Sequence, residues 1–181
     1  GHPTPVEKCG TVICVGGGVG IAEILPVVRA FKKAGNRVVV LIGARTQALL
    51  ILEQDLSISS DKLLAATDDG SYGHRGFVTD LLEAELKNNP CDLIYAVGPV
   101  VMMKKVADLT RPRKIKTRVS LNPLMVDATG MCGVCRCRVA GKTVFGCVDG
   151  PEFDAHEVDF QELQQRLNFY KEEEAEAKKL C

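Results

Sequence analysis

Four cysteines near the end of the chain stand close enough in sequence to hold a metal centre. Cys132, Cys135, Cys137 and Cys147 fall within sixteen residues, and Asp127 precedes them. Without Cys137, the spacing is D-x4-C-x2-C-x11-C. A plant-type [2Fe-2S] site has the spacing C-x4-C-x2-C…C, so Asp127 stands where the first thiolate would be. A carboxylate is anionic and can ligate iron, although it is a harder donor than sulfur.

A structural zinc site is the alternative for the same residues. It would use Cys132, Cys135 and Cys147, with Cys137 or His156 as the fourth ligand. The spacing leaves the two kinds of site open. Cys137 alternates with Cys135 on a predicted strand, so we expect its side chain to point away from the site as a buried thiol. A single histidine such as His156 is more typical of the surface than of a ligand set.

A run of glycines follows the first apolar segment and could bind phosphate. Its residues are Gly16, Gly17, Gly18, Val19 and Gly20. Glycines let backbone amides approach a pyrophosphate, and the start of a helix favours its negative charge. The strict G-x-G-x-x-G spacing does not fit, and a purely structural turn is the alternative. Four glycines in five residues weaken local structure without an evident packing gain, so we predict that this loop cradles a nucleotide.

Further candidate binding residues follow other apolar segments. An acidic residue after the second strand would bind a ribose 2′-hydroxyl, whereas arginine suits a 2′-phosphate. This chain has Ala44-Arg45 there, which favours NADP(H), although a solvated arginine is equally compatible. Asp69 and the pair Gly98-Pro99 also follow predicted strands, and we expect them to shape the pocket. Adjacent carboxylates such as Asp68-Asp69 more often cap turns.

The elements that must position these residues alternate between strand and helix. Predicted strands are Thr11–Val15, Val38–Ile42, Leu63–Thr67, Leu93–Val97 and Thr117–Leu121, and predicted helices span Ile21–Phe31, Thr46–Leu56, Phe77–Leu86 and Pro99–Leu109. This alternation predicts an α/β fold, a five-stranded doubly wound parallel sheet with helices on both faces.

The pattern changes at Asn122. From there to Pro151 the chain is rich in glycine, cysteine and turn residues, and it has too few large apolar side chains to fold without a metal. We predict a hairpin over Val139–Phe145 with its turn at Gly141-Lys142, a helix capped by Asp159, and a solvated helix over Lys171–Cys181. These features predict a nucleotide-binding domain at 1–121, a [2Fe-2S]-binding lobe at 122–158 and a C-terminal helix at 159–181.

Composition restricts the classes of function. Lys plus Arg equals Asp plus Glu, at 23 each, which argues against a nucleic-acid or membrane partner. Hydrophobic residues make up 46%, so the bulk of the chain is not disordered. The longest aliphatic run, Val38–Ile42, is far too short to span a membrane. The clustered cysteines lie apart from the apolar core, which favours a metal centre in a reducing cytoplasm over a disulfide scaffold.

The loops and the cysteine spacing together carry a family resemblance. The chain resembles the C-terminal two thirds of electron-transfer subunits in the ferredoxin reductase-like superfamily, especially the small subunit of NADH-dependent ferredoxin–NADP oxidoreductase, also called sulfide dehydrogenase. The electron-transfer subunit of dihydroorotate dehydrogenase is similar. The matching segments are residues 12–22, 67–80, 95–99 with Met102-Met103, and 120–154.

The resemblance implies an NAD(P)H-dependent flavin and iron–sulfur oxidoreductase subunit. Hydride would pass from nicotinamide to FAD, and a [2Fe-2S] cluster would pass single electrons to or from a larger partner subunit, with ferredoxin as a further candidate partner. In these families an FAD-binding barrel precedes the nucleotide domain. We see none here, so we expect a fragment, or a subunit whose flavin domain is elsewhere, that is inactive alone. The aspartate ligand favours the ferredoxin–NADP oxidoreductase branch, in which this subunit uses NAD(H). No catalytic side chain is implied.

A different class of function is also compatible with the residues. The chain could be a zinc-containing nucleotide-binding regulatory module without turnover. An iron assay and a visible spectrum of anaerobically purified protein would separate the two hypotheses.

Overall fold

A computed structural model describes residues 1–179, and a seven-stranded sheet is its central feature. The strands along the chain are β1 Thr11–Gly17, β2 Arg37–Ala44, β3 Lys62–Thr67, β4 His74–Arg75, β5 Leu93–Val97, β6 Lys116–Ser120, β7 Arg136–Val139, β8 Lys142–Phe145 and β9 Glu152–Asp154. The sheet has the order β4-β3-β2-β1-β5-β6-β9, with only β9 antiparallel to its neighbour, and β7 pairs with β8 in a separate hairpin.

The predicted doubly wound parallel sheet is confirmed, but it has seven strands instead of five. All five predicted strands are present. The two that were missed, β4 and β9, lie at the two edges and contain only two and three residues. Strands this short carry no readable alternation of apolar and polar residues, so the sequence pattern could not reveal them.

Helices cover both faces of the sheet. They are α1 Gly20–Lys33, α2 Glu53–Ser59, α3 Val78–Asn88, α4 Val100–Thr110, α5 Phe160–Leu167 and α6 Lys171–Ala177. Val12 and Cys14 of β1 share a buried cluster with Phe31 of α1, whereas Ile13 and Val15 share another with residues of α3, α4 and α5. Full burial of an aliphatic or phenyl side chain contributes about 1.5–3 kcal/mol relative to exposure, so both faces stabilise the sheet.

The single helix predicted over Thr46–Leu56 is wrong. A short 3-10 turn covers Gln47–Leu49, Leu52 has a left-handed backbone with φ 54°, and α2 begins after it. Leu49, Ile51 and Leu52 are exposed and only Leu50 packs against the core, so this apolar run does not form the buried face of a helix. Only Leu56 of α2 is fully buried.

The region after β6 packs against the sheet domain. Its hairpin turns at Ala140-Gly141, which both have positive φ (50° and 73°), so the predicted turn at Gly141-Lys142 was one residue too late. Asp159 caps α5 as predicted, because its Oδ1 accepts a hydrogen bond of 2.9 Å from the Glu162 N–H. The hairpin and α5 contribute to the same buried cluster as α4. The division into units at 121 and 158 stays a prediction.

The last helix, α6, is exposed along its length, as predicted. The predicted helix extended to Cys181, and residues 180 and 181 lie outside the part of the chain that the structure describes. Across residues 1–179, every helix is too short or too polar to cross a lipid bilayer.

Candidate nucleotide cleft and cysteine loop

A cleft of about 180 Å³ opens at the carboxyl edge of the sheet, where β1 and β5 lie side by side. The strand order reverses at this pair, because β2 and β3 lie on one side of it and β6 on the other. Open α/β sheets bind their ligands at such a switch point. The cleft is lined by Gly17, Gly18, Val19, Gly20, Glu23, Val97, Gly98, Pro99 and Asn122. Six of the predicted binding residues are therefore brought together here.

Close packing explains most of the loop glycines. A Cβ on Gly20 would collide with the carbonyl oxygen of Val97, and one on Gly98 would come 2.9 Å from the carbonyl oxygen of Gly17. A Cβ on Gly16 would meet the Ile24 side chain at 2.8 Å. The expectation that the loop glycines bring no packing gain was therefore wrong for Gly16 and Gly20. Their packing places the start of α1 directly against the end of β5.

Gly18 differs from the other loop glycines. Its φ is +56°, and a Cβ there would meet nothing within 4 Å. Its N–H donates to the carbonyl oxygen of Gly43 at the end of β2. The loop is thus open towards solvent above the start of α1, where backbone N–H groups and the helix dipole favour an anion.

The other predicted nucleotide-binding residues do not line the cleft. Gly16 is buried at the base of the loop, and Ala44, Arg45 and Asp69 lie beyond it, on the side of β2 and β3. Arg45 is exposed after β2, and the N–H of Asp69 donates to its carbonyl oxygen at 3.2 Å. The Asp69 carboxylate accepts hydrogen bonds from the Ser71 Oγ–H and N–H, at 2.6 and 2.9 Å, so it caps a turn. These two bonds hold the pKa of Asp69 below its usual value. Ala44 is half-buried beside them.

Two polar residues of the cleft were missed in the sequence. Glu23 lies in the first turn of α1, and Asn122 follows β6. The position of Glu23 three residues after Gly20 could have indicated it, because the first helical turn faces the same ligand as the loop. Nothing local indicated Asn122, since it reaches the cleft only because β6 pairs with β5.

The cysteine loop brings two of the four predicted metal ligands into contact. The Sγ atoms of Cys135 and Cys147 are 3.2 Å apart. The hydrogen bond with Cys135 raises the pKa of the Cys147 thiol, while the backbone N–H of Gly130 acts to lower it. A backbone amide aimed at sulfur is the kind of contact that tunes iron–sulfur sites. Cys132 is exposed on the same loop, three residues before Cys135.

Asp127 is turned towards its own loop. Its carboxylate oxygens accept hydrogen bonds from the N–H groups of Thr129 and Cys132, at 2.9 and 3.1 Å. The Thr129 N–H, and then Cys132, hold the pKa of Asp127 below its usual value, so the side chain is an anion. Within residues 1–179 no three His, Cys, Asp or Glu side chains already converge on one point that could hold a metal ion. Asp127 and Cys132 would have to turn inward to join the other two.

Neither alternative fourth ligand faces the Cys135–Cys147 pair. Cys137 is buried in the cluster beneath the hairpin, as its alternation predicted, and burial raises its pKa to about 11. The ring of His156 is half-buried and lies 2.8 Å from the Thr110 hydroxyl at the end of α4. All seven cysteines within residues 1–179 are free thiols.

Comparison with known proteins agrees with this geometry. The family model described as "oxidoreductase NAD-binding domain" matches residues 14–108, which is more than half of the chain. The chain belongs to the oxidoreductase NAD-binding domain family. A second model, described as "iron-sulfur cluster binding domain of dihydroorotate dehydrogenase B", matches residues 122–159 of this family member. The first model contains most of the cleft, and the second contains Asn122 and every predicted metal ligand.

Individual relatives of this NAD-binding domain protein carry related names. It is 48% identical over 174 residues to a "dihydroorotate dehydrogenase B (NAD(+)), electron transfer subunit homolog" of Thermotoga maritima, covering 96% of this chain and 61% of that protein. A probable subunit of the same name from Methanocaldococcus jannaschii is 39% identical over 78% of this chain and 54% of that protein. The chain thus spans somewhat more than half the length of these relatives.

A solved structure is also similar over nearly the whole chain. The NADH-dependent reduced ferredoxin-NADP oxidoreductase, described in connection with flavin-based electron bifurcation, superposes with a TM-score of 0.90 at 45% identity. The match covers 97% of this chain and 63% of that chain. The resemblance to ferredoxin reductase-like electron-transfer subunits, stated from the sequence, is confirmed.

Proposed function

We propose that this chain is the electron-transfer subunit of an oxidoreductase, which passes electrons between NAD(P)H, a flavin and a [2Fe-2S] cluster, to or from a larger partner subunit. The two matched family models and the names of the relatives support this proposal. Because the chain spans 61% of its Thermotoga relative, we further propose that FAD binds in the remaining part of the protein and that these 181 residues are inactive alone.

One observation carries the proposal: the nucleotide cleft and the cysteine loop share a short segment. Asn122 lines the cleft, and Pro123 lies against Gly146, where an added Cβ would come 2.9 Å from the proline Cγ. Gly146 directly precedes Cys147. The N–H of Leu121 donates to the carbonyl oxygen of Pro151 at 2.9 Å. The two candidate sites therefore adjoin the same short segment, which supports a common electron path through a flavin.

The residues present fit an iron–sulfur cluster. Three thiols and one carboxylate provide four anionic ligands at D-x4-C-x2-C-x11-C. A [2Fe-2S] cluster takes two protein ligands on each iron, and Cys135 and Cys147 already meet as a pair. We propose Asp127 and Cys132 as the other pair. When bound, the cluster would supply one-electron transfer, and the chain would hold it and exclude water from its buried side.

For the nucleotide, the chain would supply placement and charge. Gly17, Gly18 and Gly20 would form the loop around the phosphate, and the N–H of Gly20 would bind it at the start of α1. Arg45 and Asp69 would meet the adenosine half. No side chain needs to act as acid or base, because the cofactors carry the chemistry. We place the protein in the cytoplasm, with a partner subunit and with ferredoxin as a further candidate partner.

Metal analysis of anaerobically purified protein tests the proposal. We expect about two irons and two sulfides per chain, with a visible spectrum that bleaches on reduction. We also expect NAD(H) or NADP(H) to bind the assembled protein. A colourless protein with stoichiometric zinc would contradict the proposal and would favour a regulatory module without turnover.

A further inference from the structure

We propose that Asn122 recognises the carboxamide group of the nicotinamide and so orients the ring in the cleft. The inference rests on the proposed function, because it takes the cleft to be a nicotinamide nucleotide site. It identifies a positioning residue that the sequence pattern did not reveal and that lies at the junction between the cleft and the cysteine loop.

The sheet topology sets which end of the nucleotide meets Asn122. In a doubly wound fold the adenosine ribose lies near the end of the second strand, here Ala44-Arg45 of β2. The pyrophosphate would then lie at the glycine loop after β1. From β2 through β1, the next strands in order are β5 and β6, and Asn122 follows β6. The end of the ligand opposite to adenosine, the nicotinamide, therefore reaches Asn122.

Among the cleft residues, Asn122 alone has a side chain with both a donor and an acceptor. Seven of the nine are Gly, Val or Pro, and the eighth, Glu23, has a carboxylate that only accepts when ionised. Within residues 1–179 the exposed Asn122 amide makes no hydrogen bond to the protein. A side-chain amide can donate to the carboxamide oxygen and accept from its NH2 group.

The backbone on both sides of Asn122 is held in place. Leu121 is 4% exposed and its N–H is bonded to Pro151, while Pro123 is buried against Gly146. A residue fixed on both sides loses little further backbone entropy when its side chain binds, which favours an orienting role. Because its neighbours contact the cysteine lobe, Asn122 also sets the nicotinamide at the side of the cleft that is nearest to the lobe.

Titration of the assembled protein with two probes, NAD+ and ADP-ribose, tests the assignment. NAD+ carries the carboxamide, and ADP-ribose lacks the nicotinamide altogether. We expect Asn122→Ala to weaken the binding of NAD+ by about tenfold, or roughly 1.4 kcal/mol, and to leave the affinity for ADP-ribose unchanged. Asn88→Ala, a change of the same kind at the exposed end of α3, should alter neither affinity.

A third probe separates a hydrogen bond from a change in cleft shape. The 3-acetylpyridine analogue of NAD+ has a methyl ketone where NAD+ has the amide, so it cannot donate to Asn122. The wild-type protein should bind this analogue more weakly than NAD+, and the difference should shrink in Asn122→Ala.

Each outcome bears on one of the two proposals. If Asn122→Ala weakens the binding of NAD+ and of ADP-ribose equally, or the binding of neither, the assignment of Asn122 is wrong while the cleft remains a nucleotide site. If the wild-type protein binds neither NAD+ nor ADP-ribose, the proposed function itself fails.

Discussion

The nucleotide cleft and the cysteine loop differ in how tightly their candidate residues are packed. In the cleft, Gly17, Gly20 and Gly98 are packed against neighbouring groups, and the strands beneath them are buried on both faces. In the loop, only Cys135 and Cys147 are together, and Ala128, Gly130 and Gly133 have positive φ. The comparison teaches that packing at a sheet edge fixes the shape of a cleft, whereas a short lobe with little core leaves its candidate ligands spread along a loop.

The largest effect should come from the two cysteines in contact. Cys135→Ser and Cys147→Ser should each lower the iron content per chain, because the thiolate is the metal ligand. The loss in metal affinity should exceed the roughly 10–100-fold loss that removal of an outer-shell partner causes. Cys137→Ala is the matched control and should keep the iron, since Cys137 lies in the core. Iron and sulfide analysis per chain measures this. Loss of iron in Cys137→Ala would instead place that residue in the ligand set.

Adding one methyl group should have different effects at Gly20 in the cleft and at Gly141 in the hairpin turn. Gly20→Ala should lower the free energy of unfolding by about 1–3 kcal/mol and weaken NAD+ binding, because the Cβ would meet the backbone of Val97. Gly141→Ala, in the hairpin turn at φ +73° with nothing within 4 Å, should cost about 1–2 kcal/mol without changing nucleotide affinity. Urea unfolding and NAD+ titration measure both. Unchanged NAD+ affinity in Gly20→Ala would show that nucleotide binding does not depend on the close packing of Gly20 against Val97.

Asp127 tests whether the loop rearranges around the cluster. Asp127→Asn can still cap the turn through Oδ1, whereas Asp127→Ala cannot. If Asp127 ligates iron, both variants should have a labile cluster, and Asp127→Cys should keep the cluster with altered visible and paramagnetic resonance spectra. Cluster lifetime under anaerobic dilution measures the lability. A normal lifetime in Asp127→Asn combined with loss in Asp127→Ala would mean that Asp127 only caps the turn.

The smallest effect concerns the choice between NAD+ and NADP+. We expect the two affinities to differ by no more than about tenfold, or roughly 1.4 kcal/mol. Arg45 is exposed and offers charge to a 2′-phosphate, while the Asp69 carboxylate is already bonded to Ser71. Arg45→Gln should weaken the binding of NADP+ a few-fold and leave the affinity for NAD+ unchanged. Added salt should reduce the difference in NADP+ affinity between the wild type and the variant. A preference far beyond tenfold in the wild-type protein would show that other residues decide specificity.

Local pattern alone determined the architecture of the nucleotide half. Buried strands such as Val38–Ile42 are consecutive apolar runs, and the glycines after β1 mark the turn into α1, so the parallel sheet and the position of the glycine loop could be predicted. Spacing likewise picked out Asp127 and the cysteines as a candidate ligand set. The break between the 3-10 turn and α2 was not predicted, because the left-handed backbone at Leu52 leaves no mark in the pattern of apolar residues.

Tertiary structure alone decided what lies beside what. Asn122 joins the cleft because β6 pairs with β5, a contact between segments far apart in sequence. Cys135 meets Cys147 instead of its nearer neighbour Cys132 because the hairpin β7–β8 folds the chain back. The physical reason is the same in both cases: sequence periodicity reports which face of an element is buried, while strand pairing and turns set which distant residues share a site.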